Sequence, residues 1–112
     1  MNVGEMVDEF ATVTGQEGTQ ELYATLIQEE FDEWRSEYVR DTKEPQLKEL
    51  ADLVYVCYQY AENVGWDLDE ALDRVHKSNM SKLGEDGLPI RREDGKVLKG
   101  PNYQPPTLID LV

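Results

Sequence analysis

The chain has little of three things that many classes of protein require: cysteine, basic residues and long hydrophobic runs. Cys57 is the single cysteine, which excludes a disulfide framework and a zinc site built from cysteines. The longest unbroken apolar stretch covers residues 53–58, far short of the roughly 18 to 20 residues that a membrane-spanning helix needs. Only 11 basic residues stand against 24 acids, which argues against a general nucleic-acid binder, because such proteins meet phosphates with lysine and arginine.

What remains is the composition of one ordinary globular domain. The chain has 112 residues, of which 39% are hydrophobic and 31% are charged. The N-terminus shows neither the basic residues nor the apolar run of a signal peptide, so we expect a cytoplasmic protein.

The charges are segregated along the chain. Residues 1–75 contain 19 acids and 5 bases, whereas residues 76–112 contain 5 acids and 6 bases. An acidic block of this kind is commonly a solvated surface. It also arises where carboxylates gather to hold divalent cations, and the position of each acid on its helix helps to separate the two interpretations.

The hydrophobic pattern predicts four helices. Apolar residues recur at the helical period, and glycine, proline and capping signals separate the segments. Pro45 marks the start of the third helix and Gly65 its end, and Asp67 with Glu70 has the capping-box spacing for the fourth. The predicted helices cover residues 3–13, 19–38, 45–64 and 68–83.

Beyond Gly84 the pattern changes to turn residues and short extended runs. Asp94-Gly95 stands between two such runs, which is a strong local signal for a β-hairpin. The prolines that follow are incompatible with a helix, so we expect an extended arm that lies on the body of the protein or on a neighbouring subunit. We therefore predict an all-α domain, with helices in residues 1–83 and a C-terminal hairpin and arm in residues 84–112.

Two acids of the second helix point toward the predicted core. On a helix of 3.6 residues per turn, Glu30 falls between Leu26 and Trp34, and Glu33 lies at one edge of the same apolar stripe. Asp32 lies on the opposite side, where a charge that serves solubility belongs. A purely solvated acidic face would centre its acids on the Asp32 side.

The third helix repeats this arrangement. Its apolar residues nearly encircle it, so we expect it to be largely buried and to need more cover than three other helices of this length can give. Glu49 and Asp52 lie one turn apart on one flank. This helix predicts that the bundle is completed by oligomerisation.

Four inward carboxylates need a counter-charge. Ionised carboxylates in apolar surroundings cost several kcal/mol or take up protons, and the helical part of the sequence has no matching cluster of bases. The ligand set Glu30, Glu33, Glu49 and Asp52 consists of hard oxygen donors, which favour Mg²⁺ or Mn²⁺ over zinc. We therefore predict one or more divalent cations between these helices.

The fourth helix and the hairpin supply candidates for phosphate binding. Asn79 lies on the apolar stripe of the fourth helix, where it is either a core amide bonded to backbone or a group that faces the metal and phosphate. Lys82 lies one turn further on. The concentrated positive charge is on the hairpin, where it either binds phosphate or keeps an edge strand soluble, and it consists of Arg91, Arg92, Lys96 and Lys99.

Three segments together resemble the all-α nucleoside triphosphate pyrophosphohydrolases of the MazG-like type, which are grouped with phosphoribosyl-ATP pyrophosphohydrolase. The first is Glu29-Glu30-Phe31-Asp32-Glu33-Trp34, the second is Lys48-Glu49-Leu50-Ala51-Asp52-Leu53-Val54, and the third runs from Gly65 to Ala71 and is followed by Asn79. The tail from Ser78 to Tyr103 is similar to that of small single-domain members, several of which are phage-encoded. For a phage-encoded protein the expected location is the host cytoplasm.

This resemblance implies hydrolysis of a nucleotide between its α and β phosphates, with Mg²⁺ or Mn²⁺ held by the four acids. Metal-activated water is the nucleophile, and Glu29 or Glu33 orients it. Asn79 and Lys82 match the stretch that contacts phosphate and nucleotide. The family also implies a dimer or tetramer, and an aromatic side chain such as Trp34 is expected to stack on the base.

We therefore predict hydrolysis of a deoxynucleoside triphosphate, with a purine base, to the monophosphate and pyrophosphate. The alternative hypothesis is a non-catalytic helical protein whose acidic face binds a basic partner or divalent cations. A third hypothesis, hydrolysis of a phosphoribosyl nucleotide, has weaker support from the tail. Nucleic acid and membrane are not expected as partners.

Overall fold

The computed structural model describes residues 1–15 and 18–112. The fold is mostly helical, as predicted, and the described residues include four α-helices and one two-stranded antiparallel hairpin. The elements are α1 (Val3–Thr14), α2 (Gln20–Val39), α3 (Glu44–Val64), α4 (Leu68–Met80), β1 (Ile90–Arg91), β2 (Val97–Leu98) and a 3₁₀ turn at Ile109–Leu111. Two compact units are distinguished, Met1–Leu68 and Asp69–Val112.

The helices begin and end where local chemistry dictates. The hydroxyl of Thr19 accepts a hydrogen bond from the Leu22 amide at 3.0 Å and so caps α2. Gly65 ends α3 in a left-handed conformation with φ of 81°, which a glycine adopts without steric cost. The predicted starts and ends of the first three helices lie within one residue of those observed.

Helices α2 and α3 form an antiparallel pair joined by a connection of four residues, 40–43. The side-chain amide of Gln20, at the start of α2, donates to the Tyr60 hydroxyl near the end of α3 at 2.8 Å. The Asn63 amide likewise donates to the Gly18 carbonyl at 2.7 Å. Since the start of one helix lies beside the end of the other, the middle of α2 faces the middle of α3.

The core of the first unit is small and is formed by α1, α2 and α3. Its buried apolar side chains are Val7, Tyr23, Val56, Tyr58 and Ala61. The expectation that α3 is largely buried was wrong for the single chain, because Leu47, Leu50 and Val54 are 67%, 43% and 45% exposed. Two neighbouring helices cover only part of an almost wholly apolar helix, which leaves one flank of α3 open.

In the second unit, α4 ends at Met80, three residues before the predicted end. The Ser81 hydroxyl donates to the Ser78 carbonyl at 2.6 Å, and the Lys82 carbonyl accepts from the Gly100 amide at 2.8 Å. A Cβ on Gly100 would lie 2.5 Å from the carbonyl oxygens of both Lys82 and Leu83, so only glycine permits this approach. The chain leaves the helix because these groups take other partners.

The predicted hairpin is confirmed, with Ile90 opposite Leu98 and Arg91 opposite Val97. The arm that follows lies on α4 of the same unit. The Ser78 hydroxyl donates to the Gln104 carbonyl at 2.7 Å, and the Gln104 amide donates to the Ser81 hydroxyl at 2.9 Å. These bonds anchor the arm.

One arginine fastens the end of the arm. The Arg74 guanidinium donates to both oxygens of Asp110, at 2.6 and 3.0 Å, and to the Thr107 carbonyl at 3.0 Å. It also bonds Glu70 at 3.0 Å. We call this arrangement of Arg74, Glu70, Thr107 and Asp110 the arginine clasp.

Among residues 1–15 and 18–112, no helix combines the length and the apolar character needed to cross a bilayer. The predicted division into a helical part, 1–83, and a hairpin and arm, 84–112, of one domain stays a prediction, as does the cytoplasmic location.

Candidate metal centre

The four predicted ligands come from the facing middles of α2 and α3. Glu30 and Glu33 lie one turn apart on α2, and Glu49 and Asp52 lie one turn apart on α3. One carboxylate oxygen from each of Glu30, Glu49 and Asp52 lies within 4.8 Å of the other two. We call the four residues the acidic cluster.

These separations suit a shared cation. Mg²⁺ holds oxygen ligands at about 2.1 Å, so two oxygens on one ion lie no more than about 4.2 Å apart. The oxygens of the cluster lie within 4.8 Å of one another, so they need to approach by at most a few tenths of an ångström to share one ion. A small side-chain rotation is enough for this. The three acids do not point apart into bulk water, and all three are half-buried.

Glu33 belongs to the cluster although it is exposed. Its carboxyl group is within hydrogen-bonding reach of both Glu30 and Glu49. Burial raises the pKa of Glu30, and the charge and hydrogen bond of Glu33 raise it further. Burial and the hydrogen bond from Glu33 also raise the pKa of Glu49. Neighbouring acids therefore oppose the ionisation of Glu30 and Glu49.

Two carboxylate oxygens of the cluster have no hydrogen-bond partner among the residues that the structure describes. They are Oε2 of Glu30 and Oε2 of Glu49, and both are shielded from solvent. Buried polar atoms are nearly always partnered, so two such oxygens in one cluster call for an explanation. A bound divalent cation supplies one, because it needs several oxygen ligands and negative charge at this place.

One basic side chain at the cluster was missed by the sequence reasoning. Lys48 Nζ lies 2.6 Å from Oδ2 of Asp52 and 3.7 Å from Oε1 of Glu49. The hydrogen bond to Asp52 raises the pKa of Lys48. The signal was present in the sequence, because Lys48 and Asp52 are four residues apart on one helix.

Two neighbouring acids lie outside this arrangement. Glu29 and Asp32 are both exposed on α2. Asp32 accepts a hydrogen bond from the Gln28 amide at 3.0 Å, which agrees with its expected place on the solvent side. The role of Glu29 in orienting water stays a prediction.

Trp34 lies one turn beyond Glu30, in a row of aromatic rings along α2. Its ring stacks on Tyr38 with centroids 5.6 Å apart, and it meets Phe31 at 5.8 Å. Phe31 and Tyr38 are 42% and 53% exposed. The row offers flat surfaces of the kind that a nucleobase stacks on.

The other predicted substrate contacts lie in the second unit. Asn79 is exposed in the last turn of α4, and Lys82 follows the helix instead of lying on it. Arg91 donates to the Gly95 carbonyl at 2.8 Å, and Arg92 pairs with Asp94. Lys96 is exposed beside this turn. Both hairpin arginines thus have partners within the hairpin.

Residues 3–79 match the model for phosphoribosyl-ATP pyrophosphohydrolase. The chain belongs to this family. The matched residues include all four acids of the cluster and nearly all of α1 to α4.

A viral protein is similar in sequence to a shorter segment of this chain. The "Uncharacterized protein L479" of Acanthamoeba polyphaga mimivirus is 65% identical over 34 residues. The shared segment covers 30% of this chain and 14% of the viral protein, so the chain spans a small part of that relative's length.

The acidic cluster agrees with the chemistry of the family. Its members typically depend on a divalent metal. The donor set consists of carboxylates, with neither cysteine nor histidine, and it includes two partnerless oxygens. These residues therefore fit a hard cation such as Mg²⁺ or Mn²⁺.

Proposed function

We propose that this protein hydrolyses a nucleoside triphosphate to the monophosphate and pyrophosphate in a metal-dependent reaction. The observation that carries the proposal is the meeting of Glu30, Glu49 and Asp52 within 4.8 Å, with two solvent-shielded oxygens left without partners. A triphosphate arrives with divalent ions bound, and a cage of carboxylates is suited to take up those ions.

Each acid has a proposed role. Glu30, Glu33, Glu49 and Asp52 would hold one or two Mg²⁺ or Mn²⁺ ions. Bound there, the metal lowers the pKa of a water molecule and neutralises charge that develops on the phosphates. Glu33 influences both Glu30 and Glu49 and is open to solvent, which supports the proposal that it orients the attacking water. Glu29, exposed on the same helix, is the alternative base.

The nucleotide itself needs partners of other kinds. We propose that Trp34 stacks on the base and that Asn79 and Lys82 contact the phosphates. Arg91, Arg92 and Lys96 are further candidates for phosphate binding. We propose a purine deoxynucleoside triphosphate, dGTP or dATP, as the substrate, on the strength of the tail described above.

A pyrophosphate-release assay tests this proposal. The panel consists of the four dNTPs, the four NTPs and phosphoribosyl-ATP, which the family description names, each with Mg²⁺ or Mn²⁺. We expect release from a purine dNTP. Glu30→Ala and Asp52→Ala should abolish pyrophosphate release while the helical circular dichroism signal is retained. Asp32→Ala, on the solvent side of α2, should leave pyrophosphate release unchanged.

The alternatives predict different results. Turnover of phosphoribosyl-ATP alone would identify that substrate, whereas Mn²⁺ binding with no turnover of any nucleotide would favour a cation-binding protein. Unchanged turnover in Glu30→Ala would refute the proposed site.

We also propose that two or more copies of the chain associate through the open flank of α3. Leu47, Leu50 and Val54 form an exposed apolar row next to Glu49, and burial of such a row is a common driving force for association. Leu50→Glu should lower the mass measured by light scattering after size-exclusion chromatography. A monomeric wild type would contradict this assembly.

A further inference from the structure

Lys48 is the basic side chain that the described part of the chain places against the acidic cluster. Its ammonium group lies 2.6 Å from Oδ2 of Asp52 and 3.7 Å from Oε1 of Glu49. The side chain is 66% exposed, whereas those of Asp52 and Glu49 are 36% and 18% exposed. The lysine therefore reaches inward from solvent to the edge of the cluster.

The charges do not balance at this point. One ammonium group pairs with two of the four carboxyl groups, and the buried Oε2 atoms of Glu30 and Glu49 have no hydrogen-bond partner among the described residues. A divalent cation shared by Glu30, Glu49 and Asp52 would bring twice the charge to the centre of the cluster. It would also compete with Lys48 for the carboxylate of Asp52.

We propose that Lys48 is the resident counter-cation of the acidic cluster and that it gives way when a divalent ion binds. This inference rests on the metal site of the proposed function. Lys48 then has two effects of opposite sign: it stabilises the metal-free fold by holding Asp52, and it weakens metal binding because it must first be displaced.

A second explanation makes the opposite prediction. If Lys48 only held Asp52 in the orientation that metal binding requires, its removal would weaken the binding of the ion. Measurement of metal affinity in a variant without the positive charge therefore separates competition from simple orientation.

The experiment measures Mn²⁺ affinity by electron paramagnetic resonance and the melting temperature in EDTA, both on the full chain without nucleotide. For Lys48→Gln we expect a lower metal-free melting temperature together with Mn²⁺ binding that is about tenfold tighter, because a unit positive charge is removed next to the ligands. Lys48→Arg keeps the charge and should bind Mn²⁺ about as the wild type does.

Lys77→Gln is the matched control. Lys77 forms an ion pair with Asp73 at 2.9 Å with the same spacing of four residues, and Asp73 is not part of the acidic cluster. This variant should leave Mn²⁺ affinity unchanged. A similar tightening in Lys77→Gln would mean that net charge, and not the position of Lys48, sets the affinity, and the proposal would be wrong.

Unchanged or weaker Mn²⁺ binding by Lys48→Gln would also overturn the proposal, as would an unchanged metal-free melting temperature. The readouts do not depend on catalysis. If no nucleotide is hydrolysed and Lys48→Gln still binds Mn²⁺ more tightly, the proposed function fails and this inference stands. If the wild type binds no Mn²⁺, both fail.

Discussion

The acidic cluster and the arginine clasp show two opposite treatments of carboxylates in one small protein. In the clasp, Arg74 bonds both oxygens of Asp110, one oxygen of Glu70 and the Thr107 carbonyl. In the cluster, Lys48 pairs with Asp52 and Glu49, and within residues 1–15 and 18–112 two carboxylate oxygens have no hydrogen-bond partner. The carboxylates of the clasp have hydrogen-bond partners and a counter-charge within the fold, whereas those of the cluster lack part of both.

The protonation equilibria reflect the same contrast. Burial and neighbouring acids raise the pKa values of Glu30 and Glu49. The hydrogen bond from Arg74 lowers the pKa of Asp110. A carboxylate that is hydrogen-bonded within the fold stabilises the structure. A carboxyl group whose ionised form is disfavoured by its surroundings is a candidate for binding a ligand such as a cation. The clasp thus holds the fold together, whereas the cluster has the features expected of the metal site proposed above.

Removal of one acid from each region should give the largest difference. Glu49→Gln should lower pyrophosphate release by at least about 100-fold, because it removes a ligand and a charge at the cation. Its metal-free melting temperature should equal or exceed that of the wild type, since mutual repulsion is relieved. Asp110→Asn should do the reverse, with activity kept and the melting temperature slightly lowered, because its ion pair with Arg74 is open to solvent. An equal fall in melting temperature in both variants would contradict the proposed difference between the acidic cluster and the arginine clasp.

Addition of a divalent ion should affect only the first region. An ion at 100 times its dissociation constant stabilises the folded state by about 2.7 kcal/mol, which for a domain of this size corresponds to roughly 10 °C or more. Differential scanning calorimetry with Mn²⁺ and then with excess EDTA measures this shift. Asp110→Asn should show the full shift, and Asp52→Asn should lose most of it.

Loss of the arginine should release the arm. In Arg74→Met, Asp110 and the Thr107 carbonyl lose their shared donor, so residues near the C-terminus should be cut several-fold faster by a non-specific protease. Mass spectrometry of the fragments locates the cuts. Because the ion pair is open to solvent, the effect on global stability should be small. Lys77→Met, which removes an exposed pair on the same helix, should not speed cleavage.

The smallest effect is one of pH, and it has opposite signs in the two regions. A raised pKa in the folded state means that Glu30 and Glu49 favour folding below their ordinary range, and this contribution is lost as the pH rises through the raised values. The lowered pKa of Asp110 means that its contribution is present above its ordinary value of 3.8 and is lost as the pH falls.

Melting temperatures in EDTA between about pH 2 and pH 7 check this sign. The advantage of Glu49→Gln over the wild type should grow as the pH rises, and the deficit of Asp110→Asn should shrink as the pH falls. Parallel curves for all three proteins would show that neither region controls the pH dependence.

The parts of this structure that depend on local pattern could be predicted from the sequence. The period of 3.6 residues placed Glu30 toward α3, Gly65 ended a helix, and Asp94-Gly95 turned a hairpin. Each of these signals lies within a few residues, so no knowledge of the tertiary path was needed.

The remaining features depend on the path of the chain. Arg74 and Asp110 are 36 residues apart, and their meeting requires that the arm run along α4. The early end of α4 likewise depends on Gly100, which takes the Lys82 carbonyl. The open flank of α3 could not be read from its composition, because the same apolar pattern is found on helices buried within one chain and on those covered by another subunit.

The antiparallel pair of α2 and α3 has a consequence for folding kinetics. Every acid of the cluster lies on this pair, whose four-residue connection makes its closure a local event of low contact order. When the two helices pack together, the carboxylates of the cluster approach one another before the rest of the chain has formed stabilising contacts. Their repulsion therefore slows an early step of folding. Refolding in Mn²⁺ should therefore be faster than refolding in EDTA, with the difference carried by the folding limb of the chevron plot.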